Sequence, residues 1–449
     1  MKIKLLISVV ICSLFFADLS YGQWTVATTV VTGQTFPAIS VAGQNVVWIA
    51  RGTSGVPLVY RSTNGGTNFT NVTGTGISLD LFCIWARDAD VAFVGNGGGA
   101  GGTGGNASFY KTTNGGTTWT LVASTGGTLA FFNGITFSKL MPSFGIAQSD
   151  PPTGSGQPYY VSKTTDGGTT WTLTNPPGIT GEASAANSIV VLDNMWYGFG
   201  LNASSRVYFT TNGGTNWTIG TLGIAGTFVS GFAMSDNKTL GIAATQSSLP
   251  SIARTTNGGT TWATVNVGTG FTGYCTTKWI EGTNTCYISC DGAGATGGAI
   301  KKSTDGGATW TTMTTGGITG VQHMEFTRIG TVVYGYAVTS LGTVLKLVDN
   351  VTGIEPINNL IPSQYKLGQN YPNPFNPSTT IEFSIPISGN VSLKVYDALG
   401  KEVASILDGY RTAGNYSEQF IGTELTSGVY YYQLISGDYK QTKKFMLVK

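Results

Sequence analysis

An eight-residue segment occurs six times in the first three quarters of the chain. Each copy reads Ser or Thr, Thr, Asn or Asp, Gly-Gly, two further residues and an aromatic residue. The copies are Ser62 to Phe69, Thr112 to Trp119, Thr164 to Trp171, Thr210 to Trp217, Thr255 to Trp262 and Ser303 to Trp310. The short Asn or Asp side chain can bond to nearby backbone, and glycine adopts positive φ at little cost. Each copy therefore predicts a tight turn between two β-strands.

The spacing of the copies predicts a ring of repeated units. Their aromatic residues are separated by 50, 52, 46, 45 and 48 residues, a period typical of propeller blades and other stacked units. Gln23 to Val26 has the sequence that follows a copy, although no copy precedes it, and Thr343 to Leu347 has the sequence that precedes one. We therefore expect the N-terminal strand to pair beside Thr343 to Leu347 and close the ring, which leaves only short sheet edges.

Three β-rich runs lie between successive copies, so that each unit has four strands when the run after the turn is included. Seven such sets fit between residues 23 and 350. The sequence predicts an all-β chain, with a seven-bladed β-propeller over 23–350, a linker over 351–362 and a small immunoglobulin-like β-sandwich over 363–449.

The repeated segment resembles the Asp-box, or BNR repeat, of sialidases, sortilin-type receptors and photosystem-assembly propellers. In those families the segment is a turn that supports the fold away from the ligand. The resemblance implies a structural role for the aromatic residues that close the copies, which can pack between neighbouring sheets. These residues are Phe69, Trp119, Trp171, Trp217, Trp262 and Trp310.

The N-terminal residues 1–22 have the pattern of a secretory signal peptide. Lys2 and Lys4 precede an apolar run from Leu5 to Phe16, and small residues follow near Gly22. This pattern is too short for a membrane span with stop-transfer flanks, and no later run approaches 18 apolar residues. We expect export and cleavage before Gln23.

The C-terminal region contains Asn-Tyr-Pro-Asn-Pro-Phe-Asn-Pro between Leu367 and Ile381, and its prolines favour an extended backbone. Together with Lys394 to Asp397 and Lys443 to Phe445, this segment resembles the type A C-terminal sorting domain of the type IX secretion system. The resemblance implies Sec export, recognition by the type IX secretion machinery and delivery across the outer membrane. It also implies that the protein is released from the cell or attached to its surface.

Charge and metal-ligand composition argue against two classes of function. Charged residues make up 10% of the chain, and residues 23 to 353 contain 14 Lys or Arg against 13 Asp or Glu, so no basic face for nucleic acid is expected. His323 is the only histidine, and the cysteine spacing does not match a zinc site. We predict no metal and no cofactor.

Four cysteines follow the N-terminal segment: Cys83, Cys275, Cys286 and Cys290. An exported protein can form disulfides. If Glu281 to Asn284 is the tip of a hairpin, Cys275 and Cys290 come opposite each other, and we predict a disulfide between them.

No catalytic constellation is recognisable. Sialidases need three arginines together with a Tyr, a Glu and an Asp, and Gln34 to Ile39 lacks the arginine of their Arg-Ile-Pro motif. The propeller region has six arginines: Arg51, Arg61, Arg87, Arg206, Arg254 and Arg328. A glycoside hydrolase needs two carboxylates across a cleft. The candidates are Asp80, Asp88, Asp90, Glu182, Asp193, Asp236, Glu281, Asp291 and Glu325.

We interpret most of these carboxylates as solvated surface groups and His323 as a packed strand residue. The tryptophans outside the repeated segment could be sugar-stacking platforms, but their places near the first two strands of each unit favour the core. These are Trp48, Trp85, Trp196 and Trp279.

Propellers carry function on the face opposite the repeated turns. The longest loops expected there are Gly95 to Ala107 and Ser149 to Gln157, with shorter ones at Thr245 to Pro250 and Asp291 to Gly298. We expect an exported, non-catalytic binding or adhesion module for a glycan or protein ligand, with no assigned catalytic, cofactor or metal residue. The alternatives are an extracellular glycoside hydrolase, xyloglucanase-like or sialidase-like, and a structural surface scaffold.

Overall fold

The computed structural model describes residues 22–53, 55–99, 105–247, 252–268, 273–292, 298–351, 364–386, 389–411, 414–437 and 439–449. The predicted signal peptide lies outside these residues except for Gly22, and the predicted linker does so except for Val351. The named secondary-structure elements of the described residues are all β-strands, which confirms the all-β prediction. None of them forms a helix with the length and hydropathy needed to cross a bilayer.

Seven four-stranded antiparallel sheets lie between Trp24 and Asn350 in the described part of the chain. The strands follow in sequence order, four to a sheet, except that β1 belongs to the seventh sheet. They are β1 (Trp24–Thr29); β2 (Ala38–Val41), β3 (Val47–Thr53), β4 (Val56–Ser62), β5 (Thr70–Asn71); β6 (Leu81–Ala86), β7 (Ala92–Asn96), β8 (Ser108–Thr112), β9 (Thr120–Ser124); β10 (Phe132–Phe137), β11 (Gly145–Ser149), β12 (Tyr160–Thr164), β13 (Thr172–Leu173); β14 (Ser184–Val191), β15 (Tyr197–Leu201), β16 (Arg206–Thr210), β17 (Thr218–Thr221); β18 (Phe228–Met234), β19 (Gly241–Gln246), β20 (Ile252–Thr255), β21 (Ala263–Thr264); β22 (Cys275–Trp279), β23 (Cys286–Cys290), β24 (Ala299–Ser303), β25 (Thr311–Met313); β26 (Val321–Ile329), β27 (Val332–Thr339) and β28 (Thr343–Asn350).

The sheets form a closed ring around a central axis. The first strand of each sheet contacts the first strand of the next, from β2 through β6, β10, β14, β18, β22 and β26 and back to β2. β1 completes the seventh sheet by pairing with β28, with Trp24 opposite Leu347 and Thr29 opposite Thr343. The predicted pairing of the N-terminal strand is confirmed, and the fold is a β-propeller.

The repeated segment forms the predicted tight turn. In the copy from Thr164 to Trp171, Gly167 and Gly168 have φ of 71° and 81°. Gly168 N donates to Thr164 Oγ1 at 2.9 Å, and Thr170 N donates to Asp166 Oδ1 at 2.9 Å. The other five copies have the same two bonds. Burial alone would raise the pKa of Asp166, but the hydrogen bonds lower it to about 2.

Each of these turns is bonded to the turn between the first and second strands of its own sheet. Gly65 N donates to Asn45 O at 2.9 Å, and the first glycine of each other copy makes the equivalent bond. The two kinds of turn therefore lie on the same face of the ring. We name this face, which carries the six repeated turns, the turn face, and the opposite face the loop face.

The aromatic residues that close the turns pack between neighbouring sheets. Trp119 is 4% exposed and meets Trp48 of the preceding sheet edge to face, at 6.2 Å between ring centroids. Trp171 packs in the same manner against Phe93 and Phe109. These aromatic residues bury a large apolar area between neighbouring sheets. This packing agrees with the structural role implied by the Asp-box resemblance.

The sixth sheet contains the predicted disulfide. β22 and β23 pair with Cys275 directly opposite Cys290, and the two sulfur atoms are bonded. Cys83 and Cys286 are buried free thiols.

The C-terminal residues form two further antiparallel sheets. Their strands are β29 (Lys366–Leu367), β30 (Ser378–Ile385), β31 (Gly389–Tyr396), β32 (Glu402–Arg411), β33 (Gly414–Ile421), β34 (Gly428–Ser436) and β35 (Tyr439–Leu447). One sheet has the order β29-β30-β33 and the other β32-β31-β34-β35, and both contribute to one core that includes Phe383, Leu393, Tyr432 and Phe445. The predicted β-sandwich is therefore present.

Candidate functional site

The loop face, where we expected a binding site, is described only in part. Residues 100–104, 248–251 and 293–297 lie outside the described residues. The predicted loops Gly95 to Ala107, Thr245 to Pro250 and Asp291 to Gly298 are therefore described only near their ends. Ser149 to Gln157 is described throughout.

Asp150 anchors this last loop to the fourth sheet. Its Oδ1 accepts hydrogen bonds from Ser184 N and Ser184 Oγ, both at 2.7 Å, and from Asn133 Nδ2 at 2.8 Å. Burial raises the pKa of Asp150 to about 6. Because the carboxylate oxygen is occupied by partners of the protein itself, we assign Asp150 to holding the loop in place.

Asn187 crosses the axis close to the loop face. It has φ of 57° and lies in β14 of the fourth sheet. Its Nδ2 donates to Pro37 O at 2.9 Å, directly before β2 of the first sheet, and to Phe82 O at 3.1 Å, in β6 of the second sheet. The side chain therefore occupies the centre of the ring.

Lys139 crosses the axis on the turn face. It lies just after β10 in the turn between the first two strands of the third sheet. Its Nζ is 2.6 Å from Glu281 Oε1, 3.7 Å from Glu325 Oε1 and 3.0 Å from Phe326 O. Those partners belong to the sixth and seventh sheets, so one ammonium group joins opposite sides of the ring.

Further charged groups surround Lys139 at the axis. Lys278 Nζ donates to Glu325 Oε2 at 2.6 Å. Burial alone would raise the pKa of Glu325, but the ammonium groups of Lys278 and Lys139 lower it to about 2. Burial and then Lys278 lower the pKa of His323 to about 3, so its imidazole is neutral at pH 7. His323 is 4% exposed, in agreement with the prediction of a packed strand residue.

Asp236 completes this axial cluster. It accepts a hydrogen bond from Gly282 N, and its burial raises its pKa. Asp236, Glu281 and Glu325 line a hollow of about 100 Å³ together with Lys139. Three of the nine candidate carboxylates therefore come together, on the turn face rather than on the loop face.

A depression of about 530 Å³ lies beside the axial cluster on the turn face. We name it the axial depression. Its lining is mainly apolar and combines residues of the first, second, third, sixth and seventh sheets. The lining includes Val41, Trp85, Arg87, Phe137, Lys139, Leu140, Glu281 and Arg328.

The tryptophans outside the repeated segment divide into two groups. Trp48, Trp196 and Trp279 are 0%, 2% and 8% exposed, which confirms the prediction that they are core residues. Trp85 is only partly buried and lines the axial depression. The core prediction therefore holds only in part for Trp85, which packs against a core cluster on one side and is open to the depression on the other.

The other candidate carboxylates are dispersed. Asp80 and Glu182 are 7% and 3% exposed, so the prediction of solvated surface groups is wrong for both. Each has a local partner that offsets its burial, since Asp80 accepts from Gly55 N and Glu182 pairs with Arg206. Asp193 pairs with Lys238 on the turn face.

The remaining candidates are Asp88, Asp90 and Asp291, and Asp90 is exposed, in agreement with the prediction of a surface group. Asp88 accepts from the backbone N of Asp90 and Val91, and Asp291 accepts from Tyr274 N and Gln322 Nε2.

The arginines of the propeller do not form a carboxylate clamp among the described residues. Arg61 donates to Ala89 O and Arg254 to Gly306 O, both at turns, while Arg206 is engaged by Glu182. Arg87 pairs with its neighbour Asp88. This dispersal agrees with the sequence argument against a sialidase site.

Residues 369–449 match the family described as the secretion system C-terminal sorting domain. This match confirms the resemblance found in the proline-rich segment. No curated protein matches the chain at a significant level.

Solved structures share the fold at low identity. An ancestral GH74 enzyme superposes with a TM-score of 0.51 at 14% identity, covering 94% of this chain and 63% of that one. The WD40 β-propeller domain of Doa1 superposes with a TM-score of 0.50 at 11% identity, covering 72% and 96%. PorZ, a surface component of the type-IX secretion system of Porphyromonas gingivalis, has a TM-score of 0.47 at 12% identity, covering 93% and 60%.

This chain spans less than two thirds of the length of PorZ and of the GH74 enzyme. At these identities the likeness concerns the fold alone. The fold and the sorting family together identify the chain as a β-propeller protein of the type IX secretion pathway, delivered to the cell surface or the extracellular space by a C-terminal sorting domain over residues 369–449.

Proposed function

We propose that the exported propeller is a non-catalytic binding module for an extracellular glycan or protein. The observation that supports this proposal is the axial depression, a mainly apolar surface of about 530 Å³. Binding sites commonly combine such a surface with a few polar groups that orient the ligand. Here the neighbouring charged groups are already engaged with one another at the axis.

The state of these charged groups argues against catalysis. Hydrolysis of a glycosidic bond by two carboxyl groups needs a protonated acid and a free carboxylate. Glu325, with a pKa of about 2, is ionised at neutral pH. Glu281 is held by Lys139 at 2.6 Å. Glu325 therefore has no proton to donate to a leaving group, and one oxygen of Glu281 is engaged by Lys139.

A glycoside hydrolase is the second candidate, and Asp236 is the observation that favours it. Burial raises the pKa of Asp236, and the nearby charge of Glu281 raises it further. A carboxyl group with a raised pKa beside a second carboxylate is the pattern of an acid and base pair. Hydrolysis would therefore use Asp236 as the acid.

One experiment separates the two candidates. The purified full chain is screened against plant, algal and bacterial polysaccharides, and released reducing ends are measured in the same wells. Binding without release is the expected result. Release that disappears in Asp236→Asn but not in the matched turn-face variant Asp193→Asn would establish the hydrolase. The absence of both signals, combined with self-association in sedimentation, would favour a structural scaffold.

A further inference from the structure

We propose that the axial depression binds a neutral saccharide, with a sugar ring against Trp85 and hydroxyl groups bonded to Glu281 and Arg328. This inference rests on the proposed binding function and specifies its ligand and site. It places recognition on the turn face, opposite the face where the sequence predicts it.

Two residues that line the axial depression each have a buried polar atom with no hydrogen-bond partner among the described residues. These atoms are Glu281 Oε2, an acceptor, and Arg328 Nε, a donor. The other ends of both side chains are fixed, since Glu281 Oε1 pairs with Lys139 and Arg328 Nη1 donates to Gly330 O at 2.6 Å. A buried polar atom without a hydrogen-bond partner costs free energy. A ligand that supplies the missing hydrogen bonds removes this cost, and the gain contributes to its binding.

A sugar hydroxyl meets both requirements. It carries one O–H donor and two acceptor lone pairs, so a hydroxylated ring can donate to Glu281 Oε2 and accept from Arg328 Nε. A purely apolar ligand would leave both atoms unpaired and would bury them more deeply. The polar part of the site therefore favours a polyol over a hydrocarbon.

Trp85 supplies the apolar part of the site. Its ring is stacked on Phe137 at 4.0 Å between centroids and 23° between planes. Phe137 is 4% exposed, so the stack holds Trp85 in one orientation while part of its surface remains open. Val41 and Leu140 extend the apolar wall. A rigid aromatic surface beside fixed polar groups suits the apolar face of a pyranose ring.

The charges of the lining favour a neutral ligand. Lys139 is paired with Glu281, and Arg87 is paired with Asp88 at 2.8 Å. The charge of Arg328, like that of Lys139, also opposes the rise in the pKa of Asp236 that burial causes. An ionic ligand would have to break into these pairs, whereas a neutral sugar leaves them intact.

The test is calorimetric titration of the full chain with cellotetraose, xylotetraose and mannotetraose. We expect binding of at least one of them. Arg328→Lys, which removes Nε, and Trp85→Leu, which removes the ring, should each raise the Kd about tenfold, the factor that corresponds to loss of one hydrogen bond or ring contact. Arg254→Lys and Trp262→Leu are matched controls at a turn of the fifth sheet and should leave the Kd unchanged. Thermal unfolding of each variant separates loss of binding from loss of fold.

The outcomes distinguish this inference from the function on which it rests. Tetrasaccharide binding that is equally strong in Arg328→Lys and in Trp85→Leu, or equally weakened by the control variants, would overturn the axial site and leave the binding function standing. Capture of a protein ligand with no saccharide binding would overturn the saccharide inference alone. Failure to bind either class would overturn both.

Discussion

At the scale of single residues, the axial cluster depends on contacts between residues that are distant in sequence. Lys139 meets Glu281 and Glu325 across the ring, and no local pattern in the sequence marks these three residues as neighbours. Both glutamates were among the candidate carboxylates in the sequence, but the sequence could not show that these two lie together. The exposure of Trp85 could not be predicted either, because a tryptophan near the end of a first strand has the same local sequence whether its ring is buried or exposed.

Glu325 should make stability depend on acid pH. Its pKa of about 2 in the folded protein lies below its ordinary value of 4.5, so its contribution is fully present above pH 4.5 and is lost as the pH falls towards 2. Glu325→Gln should therefore be less stable than the wild type at pH 7, and the difference should narrow at pH 3. Urea unfolding of both proteins at the two pH values measures it. A difference that stays constant across this range would contradict the assignment.

At the scale of elements, the repeated turn was predictable because its cause is local. Two glycines, a Ser or Thr and an Asn or Asp close the turn within eight residues, and these residue types are visible in the sequence. The disulfide was predictable for the same reason, since a short hairpin sets the register of Cys275 and Cys290. The depression was not predictable, because it is formed between turns of several sheets.

The two glycines of one turn should respond differently to substitution. Both have positive φ, which costs alanine roughly 1 kcal/mol or more. A Cβ on Gly167 would meet nothing within 4 Å, whereas a Cβ on Gly168 would lie 2.3 Å from Phe93 Cζ. Gly168→Ala should therefore destabilise the protein by about 1–3 kcal/mol more than Gly167→Ala.

Chemical denaturation of the two variants checks this expectation, and each glycine variant serves as the control for the other. Equal losses of stability would show that Phe93 moves aside without cost.

At the scale of the whole molecule, closure of the ring and the sorting domain were both predictable from the sequence. The ring followed from an incomplete unit at each end of the repeat, and the pairing of Trp24 with Leu347 bears this out. The sorting domain followed from a proline-rich motif. The charged cluster at the axis was not predictable, because the side chains that cross the ring belong to different sheets.

Trp24 should be essential for a stable ring. It is 2% exposed and packs against Phe326 with 5.9 Å between ring centroids. Trp24→Ala should cost about 3–5 kcal/mol, as do other large-to-small changes in a core, and should loosen β1 from β28. Val26→Ala, an exposed position on the same strand, is the control and should cost little. Hydrogen exchange of the β28 amides, together with the unfolding midpoint, reports both effects.

Removal of residues 369–449 should prevent surface delivery, because these residues form the sorting domain. Fractionation of cells that produce the full or the shortened chain, with detection of the propeller at the surface and in the medium, measures this effect. Unchanged delivery of the shortened chain would show that another segment directs export.

The pairing of β1 with β28 also sets an order of events in time. A chain is made from its N-terminus, so Trp24 to Thr29 exists long before its partner, Thr343 to Asn350. Pairings between such distant segments form slowly. During this interval β1 has an unpaired edge, and the indole of Trp24 is not yet buried by its packing partners. We therefore expect the pairing of β1 with β28 to form late in folding. Until it forms, the edge of β1 is a place where a second unfinished chain could add its own strand.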